Sequence, residues 1–253
     1  MPEVKRAMEG GKILIKGGTT VSAVAMELVG VPLRVSGYIG PTAARAQLTS
    51  EEQAQDPHSI LISEGGKTWE PLDALEGPYK AGWDRGLAKM KVVLGLGAED
   101  VIIIGANAID PDGNCASAAG DPIGGGTGPA LTGMMACGAK LIIACGLEKL
   151  IPTRLKEAVA ASGVRAINRT VGIRAGYGLM PIIGRLITEK ESLEMLANVK
   201  CTVVGSGGIR GAGGATHLVV EGTEEQVDKA CQIVEKIKGA DEKDFVVPKS
   251  IGL

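Results

Sequence analysis

The chain has 253 residues, enough to bury a sizeable core, and 45% of them are hydrophobic although only 2% are aromatic. A formal net charge of −2, the lack of a basic block and the scarcity of aromatic side chains argue against nucleic-acid binding. Because no apolar run approaches the roughly 20 residues of a membrane span and the charged N-terminus lacks the apolar core of a signal peptide, we expect a cytoplasmic protein without a membrane partner.

The first part of the chain alternates short apolar runs with amphipathic segments. Val21, Val24, Ala25 and Leu28 fall on one helical face, and Gly30 is a plausible stop signal. In chain order we predict a strand at 12–16, a helix from 21 to 30, a strand at 32–38, a short surface helix within 41–58, a strand at 59–63, an irregular segment at 67–77 and a glycine-interrupted helix at 78–96.

The second part repeats the alternation with stronger signals. Residues 101–105 form a continuous β-branched run, which is typical of a strand buried on both faces. Thr188 with Glu191, and Thr223 with Gln226, have the spacing of capping boxes. We predict further strands at 140–146, 201–205 and 216–222 and helices at 128–137, 151–163, 188–197 and 224–238, whereas residues 164–187 show no clear pattern.

This order of elements predicts an α/β fold with a largely parallel sheet and helices on both faces. We assign residues 1–163 to one α/β domain and residues 164–253 to a C-terminal α/β portion that ends in a strand–helix extension. Whether that portion belongs to the same domain is left open. Ligands of such sheets bind at the carboxyl ends of the strands, which directs attention to the loops there.

Two glycine-rich loops precede predicted helices. In the first, Gly17, Gly18, Thr19 and Thr20 offer backbone N–H groups and hydroxyls to an anion, although a plain helix cap by Thr19 or Thr20 explains the pattern equally well. The second loop suits a phosphate or carboxylate, but it lacks the lysine of a P-loop and a tight crossover is the alternative. Its candidate ligand-binding residues are Gly124, Gly125, Gly126, Thr127 and Gly128.

Polar residues follow two of the predicted strands. Asn107 and Asp110 come after the buried strand at 101–105, and the segment "PDGN" at 111–114 has turn chemistry that does not account for Asn107. Since an amide cannot ionise, Asn107 would orient a substrate and would not transfer a proton. Glu64 ends the strand at 59–63 and is the candidate nucleophile or general base, with an ordinary turn glutamate as the alternative.

Other chemistry-bearing residues give weaker signals. The five cysteines are scattered without a CxxC pair, which argues against a disulfide framework or a metal site, and Cys145 is most simply a core residue. His58 and His217 are far apart in sequence. The segment 205–214 contains Gly205 and Gly207 but is followed by a strand, so we interpret it as a glycine hairpin from which Arg210 could reach an anion.

Several of these pieces together resemble one superfamily. "IKGGTTVSAVAMEL", "DVIIIGANAIDPDGNCAS", the glycine loop at 124–128 and "KLIIACGLEKL", with its charged pair Glu148 and Lys149, follow one another as in ribose-5-phosphate isomerase, glucosamine-6-phosphate deaminase, the family I CoA transferases and related sugar-phosphate sensor domains. The resemblance covers about residues 10–150. It implies an isomerase/CoA-transferase-like fold and a site for an anionic metabolite.

Within that superfamily the motifs differ in what they imply. Where the isomerase has two Asp residues and a Lys, this chain has Ile104, Asn107 and, before the glycines, Asp121 and Ile123. "SEGG" at 63–66 resembles the CoA-transferase "SENG" motif with Gly65 in place of Asn, which implies that Glu64 forms a glutamyl thioester. The lactate-utilisation domains share "GANAI"-like strands.

We therefore expect a small-molecule enzyme acting on an anionic metabolite, with acyl-CoA transfer as one version and sugar-phosphate isomerisation as another. A non-catalytic sensor for a phosphorylated metabolite and a subunit of a larger enzyme are the alternatives. No tightly bound cofactor or metal is expected, and coenzyme A enters only as a substrate. The expected partners are the small anion and either further copies of the chain or a partner subunit.

Overall fold

The structure is a computed structural model, and it describes residues 1–30, 33, 60–65, 68–71, 90–120, 124–173, 176–209 and 212–240. The helices with defined bounds are α1 (Pro2–Glu9), α2 (Thr19–Val29), α3 (Thr127–Cys137), α4 (Leu155–Ala161), α5 (Glu189–Ala197) and α6 (Glu224–Ile237). The strands are β1 (Lys12–Lys16), β2 (Ile60–Glu64), β3 (Thr68–Pro71), β4 (Val101–Ile104), β5 (Ala108–Ile109), β6 (Cys115–Ala119), β7 (Lys140–Ala144), β8 (Gly178–Ile182), β9 (Arg185–Ile187), β10 (Lys200–Ser206) and β11 (Thr216–Glu221).

The central element is a six-stranded sheet with the strand order β3-β2-β1-β4-β7-β9. Strands β1, β4, β7 and β9 run parallel to one another, whereas β2 is antiparallel to both of its neighbours, β1 and β3. The prediction of an α/β fold with a largely parallel sheet is therefore confirmed at this level. Strand β4 is buried along its whole length, as its continuous β-branched run predicts.

Alternating side chains of the central sheet belong to two separate apolar layers, one on each face. Ile13 and Ile15 of β1 pack with Val21 and Ala25 of α2 on one face. On the other face Leu14 packs with the apolar side chains around Ala130 of α3. Because successive strand residues point to opposite faces, this alternation fixes α2 and α3 on opposite sides of the sheet, as expected for helices on both faces.

A small antiparallel sheet, in the order β5-β6-β8, packs against the α3 face of the central sheet. Its other side contacts α4 through Ala108, Ala116 and Leu155. The chain passes from β8 into β9 through only Ile183 and Gly184, so the two sheets are directly connected. Part of the predicted C-terminal portion, namely β8 and β9, thus pairs with strands of the first portion.

The last strands and helices form a unit with its own core. Strands β10 and β11 form an antiparallel hairpin, which confirms the glycine-hairpin interpretation of residues 205–214. Helices α5 and α6 cover the hairpin, with Leu193, Ala197 and Ala230 buried against it. Both helices begin with the predicted capping boxes, at Thr188 and at Thr223.

Several expectations need correction or fall outside the described part of the chain. Residues 68–71 form β3 and are not irregular, and β5, β6, β8 and β9 were not predicted. The predicted strand at 32–38, apart from Leu33, and the predicted helix within 41–58 lie outside the described residues. The same holds for most of the predicted helix at 78–96, of which residues 90–94 are helical.

Candidate functional site

The carboxyl ends of β1, β4, β7 and β9 lie along one edge of the central sheet, because these strands are parallel. We call this the carboxyl edge. Both glycine loops reach it: α2 follows β1 directly, and α3 runs back to the opposite edge before β7 begins at Lys140. The N-terminal ends of α2 and α3 therefore lie at the same edge, on opposite faces of the sheet.

Helix α2 begins without a side-chain cap. Gly18 is its N-cap residue, in an extended conformation, and a glycine has no side chain with which to cap the first-turn N–H groups. Thr19 and Thr20 are exposed and do not act as caps, so the helix-cap interpretation of these residues is not supported. Backbone N–H groups at such a helix start, together with the helix dipole, favour an anion.

Helix α3 also begins without a side-chain cap, and Gly126 is its N-cap residue. Gly124 and Gly125 have φ angles of +74° and +59°, which only glycine adopts without strain. The buried Thr127 hydroxyl and the Ser117 hydroxyl lie 3.0 Å apart in a hydrogen bond. The Thr127 side chain thus anchors the loop to β6, while the N–H groups of Thr127 and Gly128 donate to the carbonyl of Gly124 and Pro129 has none, so the start of α3 offers an anion its dipole more than free donors.

Lys16 lies beside both glycine loops. It is the last residue of β1 and directly precedes Gly17, and a Cβ atom added at Gly126 would lie 2.9 Å from both Cδ and Cε of Lys16. The side chain of Lys16 therefore crosses Gly126 at the start of α3 while its backbone leads into α2. Sequence reasoning missed Lys16, although strand alternation puts it on the same face as Leu14, the face that carries α3.

Asn107 lies just beyond β4 and is exposed. Its Oδ1 atom accepts a hydrogen bond of 2.8 Å from the backbone N–H of Ala118, and its own N–H donates to the carbonyl of Ala116. These bonds hold the connection between β4 and the small sheet. The predicted role of orienting a substrate stays a prediction, and the Nδ2 donors together with the second lone pair of Oδ1 could serve it.

Asp110 is buried and organises the turn that follows β5. Its carboxylate accepts hydrogen bonds from the backbone N–H groups of Asp112 and Asn114, from the Asn114 side chain and from the backbone N–H of Leu155. The side-chain bond from Asn114, followed by the N–H of Leu155, lowers the pKa of Asp110 to about 2. With these bonds the carboxylate stabilises the turn and the start of α4. Its predicted contact with a substrate stays a prediction.

Glu64 lies at the opposite edge of the sheet. Strand β2 runs antiparallel to β1, so that Glu64 pairs with Lys12 while Ile60 pairs with Lys16. Four residues of strand, about 13 Å, therefore separate the backbone of Glu64 from the level of Lys16. The assumption that Glu64 shares an edge with the glycine loops is wrong because β2 is antiparallel, and the side chain of Glu64 lies outside what the structure describes.

The sequence around Glu64 also occurs a second time. "EGGK" is found at 64–67 and at 9–12, where it connects α1 to β1. The two copies meet, since the N–H of Gly65 donates to the carbonyl of Gly11 over 2.7 Å. A glycine turn with a φ of +58° at Gly65 thus accounts for a glycine directly after Glu64.

The charged pair after β7 lies at the carboxyl edge. Glu148 and Lys149 belong to a short 3₁₀ helix, and Oε1 of Glu148 is 3.4 Å from Nζ of Lys149. A Cβ added at Gly146 would overlap Oε2 of Glu148, so the carboxylate folds back over the end of β7. The hairpin loop reaches the same place, because a Cβ at Gly214 would lie 3.5 Å from the Cβ of Glu148.

The remaining candidates contribute little to this edge. His58, Asp121, Ile123 and Arg210 lie outside the described residues. Cys145 is buried in the core, as predicted, and desolvation raises its pKa to about 12. His217 is exposed on β11, opposite Gly205.

Comparison with models of known protein families gives no match, and no curated protein matches the sequence significantly. The site must therefore be interpreted from its own geometry. Within the described ranges, no group of three or more His, Cys, Asp and Glu side chains is arranged to hold a metal ion. None of the described helices combines the length and the apolar character that crossing a membrane requires.

Proposed function

We propose that the protein binds a small anionic metabolite, through a phosphate or carboxylate group, at the carboxyl edge beside β1 and β4. The observation that supports this is the position of Lys16 between the starts of α2 and α3. The start of α2 has no side-chain cap, both helix starts present positive dipole ends, and Lys16 adds a formal positive charge. All three features favour the same sign of ligand charge.

The finer version of the proposal is an enzyme that acts on this metabolite, within an isomerase/CoA-transferase-like fold. What supports it is the order of motifs along the chain and the mostly parallel sheet on which they lie. A non-catalytic sensor for a phosphorylated metabolite uses the same anion site, and so does one subunit of a larger enzyme. Binding of the anion is the common requirement of all these versions.

The binding proposal is tested by titrating orthophosphate into the purified full chain and measuring heat or the ³¹P signal. Lys16→Met keeps the length and apolar character of the side chain and removes its charge. We expect it to weaken orthophosphate binding by roughly tenfold or more, since a hydrogen bond to a charged group contributes roughly 1.5–3 kcal/mol.

Lys12→Met is the matched control. Lys12 is the first residue of the same strand and lies at the opposite edge of the sheet, so its replacement should leave orthophosphate binding unchanged. If wild-type protein does not bind orthophosphate, or if both variants weaken binding equally, the anion site is not where we propose it.

The acyl-transfer version has its own test at Glu64. In that chemistry the carboxylate attacks the thioester carbonyl of an acyl-CoA, coenzyme A thiolate leaves, and the thiolate then attacks the glutamyl carbonyl to give a glutamyl-CoA thioester with release of the acyl carboxylate. Incubation with acetyl-CoA or succinyl-CoA should add the mass of coenzyme A less one water to the wild type and not to Glu64→Gln. No adduct on the wild type would remove this version and leave the binding proposal intact.

A further inference from the structure

We infer that Glu148 and Lys149 form the second end of the same binding site and contact a polar group of the ligand that both donates and accepts hydrogen bonds. This inference rests on the proposed function, because it takes the anionic end of the ligand to be bound at Lys16. The two ends lie along the carboxyl edge. Three observations support the inference: the strand order, the position of the Glu148 carboxylate against Gly146, and the hydrogen bonds that the other carboxylates near this edge already accept.

The strand order sets the distance between the two ends. Strand β4 lies between β1, which ends at Lys16, and β7, which leads into Glu148. Two strand spacings correspond to about 10 Å. Glu148 follows the last residue of β7 by four positions, so ligands with chains of different length between their ends are needed to match the span.

The conformation of Glu148 places its carboxylate over the end of β7. The carboxylate lies against Gly146, where an added Cβ atom would collide with Oε2. The absence of a side chain at Gly146 thus leaves room for the carboxylate above the end of β7.

Other carboxylates near this edge are already used by the fold. Glu189 accepts the N–H of Leu147, and Glu191 accepts the N–H and the hydroxyl of Thr188. Asp110 accepts several internal donors, as described above. By contrast, within the described part of the chain no backbone N–H donates to Glu148, which has an ion pair with Lys149 as its polar contact.

The hydrogen-bonding chemistry of Glu148 and Lys149 determines which ligand group can bind to them. The carboxylate of Glu148 accepts hydrogen bonds and the ammonium of Lys149 donates them. Because the two charges compensate each other at 3.4 Å, a neutral group that does both is favoured over a second anion or a cation. A hydroxyl is the simplest such group.

The test uses ω-hydroxyalkyl monophosphates with two, four and six carbons and the n-alkyl monophosphates of the same lengths, titrated into the full chain. Wild-type protein should bind one of the longer hydroxyl compounds about three to ten times more tightly than its methyl-ended match, the gain expected from hydrogen bonding. Glu148→Ala should abolish this preference.

Gly146→Ala is a second variant, because the added methyl group displaces the carboxylate and leaves its charge in place. It should reduce the hydroxyl preference as well, whereas Glu157→Ala, at an exposed position of α4, should not. Two outcomes overturn this inference alone, provided that orthophosphate binding depends on Lys16. The first is that the wild type shows no preference for the hydroxyl compounds, and the second is that the preference survives in Glu148→Ala. Absence of Lys16-dependent orthophosphate binding overturns the proposed function together with it.

Discussion

The carboxylate of Asp110 accepts a hydrogen bond of 3.0 Å from the backbone N–H of Leu155, which lies 45 residues further along the chain. Leu155 is the first residue of α4, whose N-cap residue Arg154 provides no side-chain cap. The same carboxylate holds the turn from Asp110 to Asn114. One buried side chain therefore caps a helix and closes a turn in two distant parts of the sequence.

We expect Asp110→Ala to lower the free energy of unfolding clearly, because it leaves the N–H groups of Asn114 and Leu155 without their acceptor. Asp112→Ala is the control within the same turn, since Asp112 forms an exposed ion pair with Arg154 that should contribute about 1 kcal/mol or less. Urea denaturation of the three proteins measures the difference. Equal losses in the two variants would contradict the role assigned to Asp110.

The same residue predicts a dependence of stability on pH. The pKa of Asp110 is lowered from 3.8 to about 2 by its hydrogen bonds, so the folded state binds this proton less readily than the unfolded chain. Its stabilisation is complete above the unfolded pKa and is lost as the pH falls from about 4 to about 2. Unfolding midpoints measured across this range should fall less steeply for Asp110→Asn than for the wild type. Parallel curves would show that other groups cause the acid sensitivity.

Gly184 should not tolerate a side chain. A Cβ atom there would lie 2.6 Å from the backbone carbonyl oxygen of Leu141, and a backbone atom cannot rotate away. We expect Gly184→Ala to destabilise the protein by roughly 1–3 kcal/mol, as in other overpacked sites. In thermal unfolding, Gly120→Ala serves as the control because no atom of the described residues lies within 4 Å of its Cβ position. A neutral Gly184→Ala would mean that β9 approaches β7 less closely than described.

The helix caps provide a prediction that separates α6 from α2. Thr223 caps α6 in a capping box with Gln226, so Thr223→Ala should cost about 1 kcal/mol of stability. Thr20 makes no cap, and Thr20→Ala should stay within about 0.5 kcal/mol of the wild type. Chemical denaturation can resolve this difference. A loss in Thr20→Ala as large as that in Thr223→Ala would mean that Thr20 does cap α2.

Elements with strong local signals were predictable from the sequence. Strand β4 is a run of four β-branched residues, and the capping boxes marked the starts of α5 and α6. The missed strands have no comparable signal: β6 reads "CASAA", β8 contains Gly178 and Pro181, and β9 has three residues. Such segments become strands because their neighbours pair with them, and intrinsic propensity contributes little.

The candidate site was predictable only in its separate parts. The glycine loops were found from strand–glycine–helix patterns, but the approach of Lys16 to Gly126 depends on how α3 packs. The error on Glu64 has a similar origin, since an apolar run does not reveal the direction of its strand. Hydrophobic periodicity identifies strands, and only pairing across the sheet decides at which edge each strand ends.

The two-residue connection between β8 and β9 has a consequence for how the molecule opens. Ile183 and Gly184 leave no slack between the three-stranded and the six-stranded sheet. Detachment of β8 would therefore pull on the edge strand β9, so we expect both sheets to unfold as one cooperative unit. The hairpin with α5 and α6 has a separate core and can open at a lower free energy. Slow hydrogen exchange should thus extend over both sheets and stop near residue 188.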